Sequence, residues 1–124
     1  MTSVLNVDTI ADKAGTGPVA LTKQEAAKMY CRWDTDSSTS ITGSFNVSSL
    51  TDAATGRTSI HVTNAFDAVT YTVVLSNDNG EEVAFHRLLD GNTTSKIGAA
   101  NYAQDSNVYI DNDTMSAVSH GDLA

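Results

Sequence analysis

Residues 52–62, DAATGRTSIHV, decide the fold. They consist of a turn-forming group that ends in Gly56 and a following run in which polar and β-branched residues alternate. Successive side chains of a β-strand point to opposite faces, so a period of two is typical of a strand with one buried face. Ile60 and Val62 are therefore expected to face a core, and the residues that alternate with them to face away from it.

Similar residue types occur from Met29 onward, where runs of β-branched and aromatic residues are separated by clusters of Gly, Asn and Asp. Such a pattern predicts many short antiparallel strands. Seven segments are predicted as strands: 29–33, 41–50 with an interruption, 57–64, 70–76, 82–88, 107–111 and 116–120. The expected fold class is therefore mainly β, with an antiparallel β-sandwich-like domain over residues 29–124.

Two further stretches carry local signals about the connections between strands. Residues 77–80, Asn-Asp-Asn-Gly, predict a hairpin between the strands on either side, because Asn-Gly tolerates the positive φ that tight hairpin turns require. Residues 90–106 are polar and rich in Gly and Ala, and this composition predicts a long loop.

The first 28 residues are of a different kind. A few apolar residues near the start are too sparse to form a core of their own: Val4, Leu5, Val7 and Ile10. A break at residues 14–18 separates them from a predicted short helix over residues 21–28, in which Thr22 is the N-cap and Glu25 completes a capping box. A helix of two turns is marginal in water and must pack on something. We therefore predict an N-terminal attachment arm and a short helix over residues 1–28.

Composition and charge argue against several classes of partner. The chain has 124 residues, enough for one β domain, and its net charge of −8 repels nucleic acid and anionic lipid. No apolar stretch approaches the roughly 18 residues that a membrane helix needs. The N-terminus lacks a secretory signal, so the chain is expected to be made in the cytoplasm without a signal peptide. The single cysteine, Cys31, excludes an internal disulfide and is expected to be a small buried side chain.

Catalytic and metal chemistry lack the residue patterns that they require. His61, His86 and His120 fall in separate predicted segments, and no serine has the glycine pattern of a nucleophile elbow. Residues 34–39, Asp-Thr-Asp-Ser-Ser-Thr, begin like a calcium loop but lack the glycine of the sharp turn and the closing glutamate. We therefore expect no enzyme activity, no cofactor and no metal site.

One aromatic residue differs from the others in its surroundings. Most aromatic residues fall in predicted strands and are expected in the core. Tyr102 instead lies in the predicted polar loop, together with Asn101 and Gln104. An aromatic ring among polar residues predicts a surface contact, such as stacking on a sugar ring.

Three stretches of the chain follow a recognisable order. Residues 3–10 form an extended start, residues 17–28 contain a Gly-Pro step and a helix that ends in Ala-Ala-Lys, and residues 43–52 contain Ser-Phe-Asn-Val-Ser-Ser after an aromatic strand. In this order the chain resembles short tail-fibre-type virion proteins of tailed bacteriophages of aquatic, marine and cyanobacterial hosts. Residues 29–36 and those from 81 onward depart from the family pattern, so no host-recognition residue is carried over.

The resemblance implies a virion structural protein, a tail fibre or fibre-like appendage subunit that contributes to particle assembly and host-surface contact. It implies a homotrimer in which each arm packs against neighbouring copies, and attachment to other virion proteins through the arm. A glycan or protein of the host surface is the expected outer partner. Two alternatives stay open: a capsid decoration, cement or head-fibre protein that stabilises the shell, and a carbohydrate-binding module that uses Tyr102 or an exposed Trp33.

Overall fold

The computed structural model describes residues 26–86 and 92–124. This part of the chain is mainly β, with 60% of it in strands and no helix. Its strands follow in chain order as β1 (Met29–Asp34), β2 (Ser40–Phe45), β3 (Val47–Ala54), β4 (Arg57–Val62), β5 (Thr72–Asn77), β6 (Glu82–His86), β7 (Lys96–Ala103), β8 (Val108–Tyr109) and β9 (Met115–His120).

The strands form two antiparallel sheets. The first sheet has the order β2, β1, β9, β5, and the second has the order β3, β4, β7, β6, with β8 paired to β7. The sheets share one core, across which the indole Nε1 of Trp33 on β1 donates a 3.3 Å hydrogen bond to Thr58 Oγ1 on β4. The expected mainly β class with antiparallel sheets is therefore confirmed, and the two sheets are compatible with a β-sandwich.

Side chains that alternate along the strands point into the core and away from it. On β1, Met29, Cys31 and Trp33 are at most 1% exposed, whereas the two residues between them are exposed. Ile60 and Val62 of β4 also belong to the core cluster, as the period of two in that strand predicts. Burial raises the pKa of the Cys31 thiol to about 11, so the thiol stays protonated and unreactive at neutral pH.

A single residue carries the chain from the first sheet to the second. Asn46 lies between β2 and β3 with a φ of 57°, a left-handed conformation that Asn adopts more readily than most residues. Its Nδ2 donates to the carbonyl oxygens of Lys28 at 3.0 Å and Asn64 at 3.1 Å. Its Oδ1 accepts from the Asn64 N–H at 2.7 Å. The interruption predicted within residues 41–50 is this change of sheet.

The turn between β5 and β6 also connects the two sheets. β5 pairs with β9 and β6 pairs with β7, so the hairpin predicted around residues 77–80 is wrong. Among the described residues, positive φ occurs at Asn46, Gly56 and Asn107, and the Asn-Gly pair therefore does not form the tight turn that it favours. β5 pairs instead with the last strand, β9, and β6 pairs with the following strand, β7, and a local turn signal does not predict this choice of partners.

β7 (Lys96–Ala103) is the largest departure from expectation. It is paired with β4, β6 and β8, so the loop predicted over residues 90–106 is wrong in this range. Residues 97–101 are all buried, which means that both faces of the strand are covered. The small residues Gly98, Ala99 and Ala100 suit such a crowded position. Because Gly and Ala are weak strand formers, they suggested a loop.

The predicted arm and helix fall mostly outside the described residues. Val4, Leu5, Val7 and Ile10 lie outside them, as do residues 21–25 of the predicted helix. Residues 26–28 are described and are not helical. They lead directly into β1, and the Lys28 N–H donates to the carbonyl oxygen of Ser119 at 2.9 Å. The N-terminal segment therefore joins the body at the first sheet, where β1 lies beside β9.

The turn between β3 and β4 provides a test of the fold. Gly56 has a φ of 65°, and a Cβ there would lie 2.6 Å from the backbone nitrogen of Ile110 and 2.8 Å from the carbonyl oxygen of Asn101. Gly56→Ala is therefore expected to lower the free energy of unfolding by about 2–4 kcal/mol. Urea unfolding measures this change. In the control Gly80→Ala, where a Cβ would meet no atom within 4 Å, the change should stay below about 1 kcal/mol. Equal losses in the two variants would contradict the turn described here.

Candidate functional site

Four outward-facing apolar residues form one line across the first sheet. Phe45 on β2 is paired with Tyr30 on β1. Val118 on β9 is paired with Tyr30 on one side and with Val74 of β5 on the other. Directly paired residues of antiparallel strands project from the same face, with Cβ atoms about 5 Å apart. The four side chains therefore lie side by side, and we call them the apolar row.

The apolar row is largely open to solvent. Val74 is 62% exposed, Phe45 55% and Tyr30 46%, and Val118 between them is half-buried. The rings of Tyr30 and Phe45 stack with their centroids 6.5 Å apart. Single exposed apolar residues are normal on a soluble protein, whereas a contiguous apolar patch marks an interaction surface.

The positions that flank the apolar row are basic or neutral. Residues two positions away along a strand share its face. For the apolar row these are Lys28, Arg32, Gly43, Thr72, Ser76, Ser116 and His120. None of these seven is acidic, although the chain has fifteen Asp and Glu residues against seven Lys and Arg. The surface therefore suits an apolar partner that carries a carboxylate.

The apolar row was not predicted from the sequence, although part of its signal is present there. Adjacent apolar residues in one strand, such as Met29 with Tyr30 or Val73 with Val74, point to opposite faces, so one of each pair must lie outside the core. The sequence does not give the register that brings four such residues into line. That register arises from the pairing of β1 with β2 and β9 and of β9 with β5.

Tyr102 lies on β7 and packs against another aromatic ring. Its ring meets the edge of Tyr109 with the centroids 5.4 Å apart, and its hydroxyl donates to Asn107 Oδ1. The guanidinium carbon of Arg57 lies over the Tyr109 ring, 4.2 Å from its centroid. One face of Tyr109 is therefore already occupied, and Tyr102 helps to cover the outer side of β7.

The three residues predicted as a surface contact do not form one surface. Asn101 is 1% exposed and alternates with Tyr102 along β7, so its predicted surface position is wrong. Tyr102 is half-buried, and Gln104 is exposed in the turn after β7. Trp33 is 0% exposed, which overturns the alternative in which an exposed Trp33 stacks on a sugar.

Asn101 instead belongs to a group of hydrogen bonds centred on Glu82, the first residue of β6. The Glu82 carboxylate accepts from the side-chain amides of Asn101, Asn112 and Asn79, the last two at 2.7 Å. Asn101 Oδ1 in turn accepts from Asn77 Nδ2 at 2.7 Å. Buried polar groups cost free energy unless they are hydrogen-bonded. These bonds therefore fasten β5, β6 and β7 to the segment that precedes β9.

The histidines considered for chemistry lie on different strands. His61 is on β4, His86 ends β6 and His120 ends β9. His61 Nε2 lies 3.0 Å from Thr51 Oγ1 on the neighbouring strand. Within residues 26–86 and 92–124, no three His, Cys, Asp or Glu side chains are placed to hold a metal ion together.

Comparison with known proteins gives no match to any family model, curated protein or solved structure. Across the described ranges, none of the chain forms a helix with the length and hydrophobicity needed to span a membrane.

The Glu82 hydrogen bonds give a test of this region. Glu82→Ala removes the acceptor for three side-chain amides, two of them on the buried residues Asn101 and Asn112. The free energy of unfolding is expected to fall by about 2 kcal/mol, because two buried side-chain amides lose a charged acceptor. The matched control is Glu81→Ala at the exposed neighbouring position, where we expect a change below about 0.5 kcal/mol. Thermal and urea unfolding measure both, and a Glu82→Ala chain as stable as Glu81→Ala would refute the structural role.

Proposed function

We propose that this chain is a structural subunit of a bacteriophage particle, a tail fibre or fibre-like appendage that contributes to assembly and host-surface contact. Its N-terminal arm joins neighbouring copies in a homotrimer and attaches to other virion proteins. Its β body is presented outward to a glycan or protein of the host surface. The exposed apolar row is the observation that carries the proposal.

The apolar row supports a protein that works inside an assembly. Full burial of a large apolar side chain contributes roughly 1.5–3 kcal/mol, so a partner that covers Phe45, Tyr30 and Val74 gains much of the free energy that association needs. The two sheets are held by a core of their own residues. The apolar row is therefore available for contact with another chain.

The segment that resembles the fibre-type family also has a defined place in this structure. Residues 43–52 contain Phe45, which belongs to the apolar row, and Asn46, at which the chain changes sheet. The stretch that resembles the family thus includes a residue of the candidate interface and the corner that positions it. This coincidence favours the fibre-type proposal over a chance likeness in composition.

Capsid decoration is the nearest competing role, since a subunit on the shell would use the same apolar row. The carbohydrate-binding module has less support, because Trp33 is buried and Tyr102 is half-buried and packed against Tyr109. Cryo-electron microscopy of the particle that contains this chain distinguishes a tail fibre from a capsid decoration protein. Density for this chain on the tail is the expected result. Density on the shell would contradict the fibre role and support the role of a decoration protein.

Oligomeric state is the simplest test in solution. Multi-angle light scattering of the full chain should give three times the 13.1 kDa chain mass, since each arm is covered by another copy. Removal of residues 1–20 should yield a folded monomer. A full-length chain that is monomeric at every accessible concentration, with unchanged thermal stability on dilution, would contradict the proposal.

A further inference from the structure

We propose that the apolar row is the acceptor for residues 3–10 of a second copy of this chain. The inference rests on the proposed function, in which the arm drives assembly, and it names the surface that receives the arm. It commits to one occupant, the N-terminal segment of a neighbouring subunit.

The position at which the chain enters the body supports this pairing. Residues 26–28 lead into β1, the Lys28 N–H is bound to the carbonyl oxygen of Ser119, and Tyr30 of the apolar row is two residues further on. Each copy therefore carries its N-terminal segment at the edge of its own apolar row. The arm of one copy therefore starts beside a surface of the kind that it would cover on a neighbouring copy.

The arm is long enough to span the apolar row. The apolar row crosses four strands, and adjacent strands are about 4.8 Å apart, so it is about 14 Å long. Eight residues of extended chain span about 25 Å. Residues 3–10 are therefore long enough to cover the whole apolar row, and residues 11–25 remain as a tether between the covered surface and the body that supplies the arm.

The chemistry of the two elements is complementary. Residues 3–10 carry four aliphatic side chains, Val4, Leu5, Val7 and Ile10, and a single charged residue, Asp8. The apolar row presents aromatic and aliphatic side chains flanked by Lys28 and Arg32, with no carboxylate at the flanking positions. The chain has a net charge of −8, so a basic surface is a local exception. Such a surface favours an apolar segment with one acidic residue as its partner over a second, strongly acidic body.

Exchange of arms between copies covers the apolar row of every subunit. When each subunit gives its arm to the next, a closed ring leaves no arm and no apolar row uncovered. An arm that folded back on its own body would cover the apolar row but would leave the proposed homotrimer without a contact surface. The neighbouring copy is therefore the occupant that agrees with the proposed function.

Disulfide trapping between two differently tagged full-length chains tests the inference. One chain carries Val74→Cys in the apolar row and the other carries Val7→Cys in the arm. Cys31 is buried and its thiol is protonated, so it does not compete during mild oxidation. The matched control replaces Val74→Cys with Val83→Cys, at an exposed position on the second sheet.

The expected result is a mixed disulfide between the two tagged chains with Val74→Cys and little with Val83→Cys. Equal trapping at both positions, or trapping only at Val83→Cys, would overturn the inference. If trapping at Val74→Cys is absent while light scattering still shows a trimer, the acceptor is wrong and the proposed function survives. A double variant of one chain that forms only an internal disulfide, in a chain that is monomeric, would overturn the inference and the homotrimer together.

A pair of polar substitutions tests the same surface without cysteine chemistry. Phe45→Ser with Val74→Ser should raise the concentration at which the oligomer dissociates by at least about tenfold, because two exposed apolar contacts are removed. Val108→Ser, at a residue 49% exposed on the second sheet, should leave that concentration unchanged. Unchanged dissociation in the double variant, with urea unfolding showing an intact body, would overturn the inference.

Discussion

The burial of Met29, Cys31 and Trp33 on one face of β1 constrains the rest of the body. Because side chains alternate along a strand, it places Tyr30 and Arg32 on the outer face. A slip of one residue would expose the large Trp33 side chain and bury a charged Arg32, so the core holds the register firmly. This register places the apolar row on the outer face of the sheet, and the body cannot bury it without exposing its own core.

The parts of the fold that a local pattern determines were predictable from the sequence. The period of two in residues 57–62 predicted the strand and the burial of Ile60 and Val62, although Ser59 between them and the turn is buried as well. The interruption within residues 41–50 marks the corner at Asn46. β7 was not predictable in this way, because this strand is covered on both faces and consists largely of small residues such as Gly98 and Ala99. The same small residues are common in loops, so composition pointed to the wrong structure.

Long-range pairing explains the remaining errors, including those at the candidate site. The Asn-Gly pair at residues 79–80 favours a hairpin, but β5 pairs with the distant strand β9 and β6 pairs with β7 in the other sheet. Asn101 was placed at the surface because its segment was predicted as a loop, whereas it is buried and bonded to Glu82. The apolar row needs three strand registers at once, and no local signal in the sequence specifies them.

In the proposed exchange of arms, the apolar row of one copy receives the N-terminal arm of another. Hydroxyl-radical footprinting of Tyr30 and Phe45 tests this most directly, since both rings are open in the body alone. Both rings should be protected in the full-length chain and reactive in a chain lacking residues 1–20, with Val108 equally reactive in the two. Equal reactivity of Tyr30 and Phe45 in both chains would contradict it.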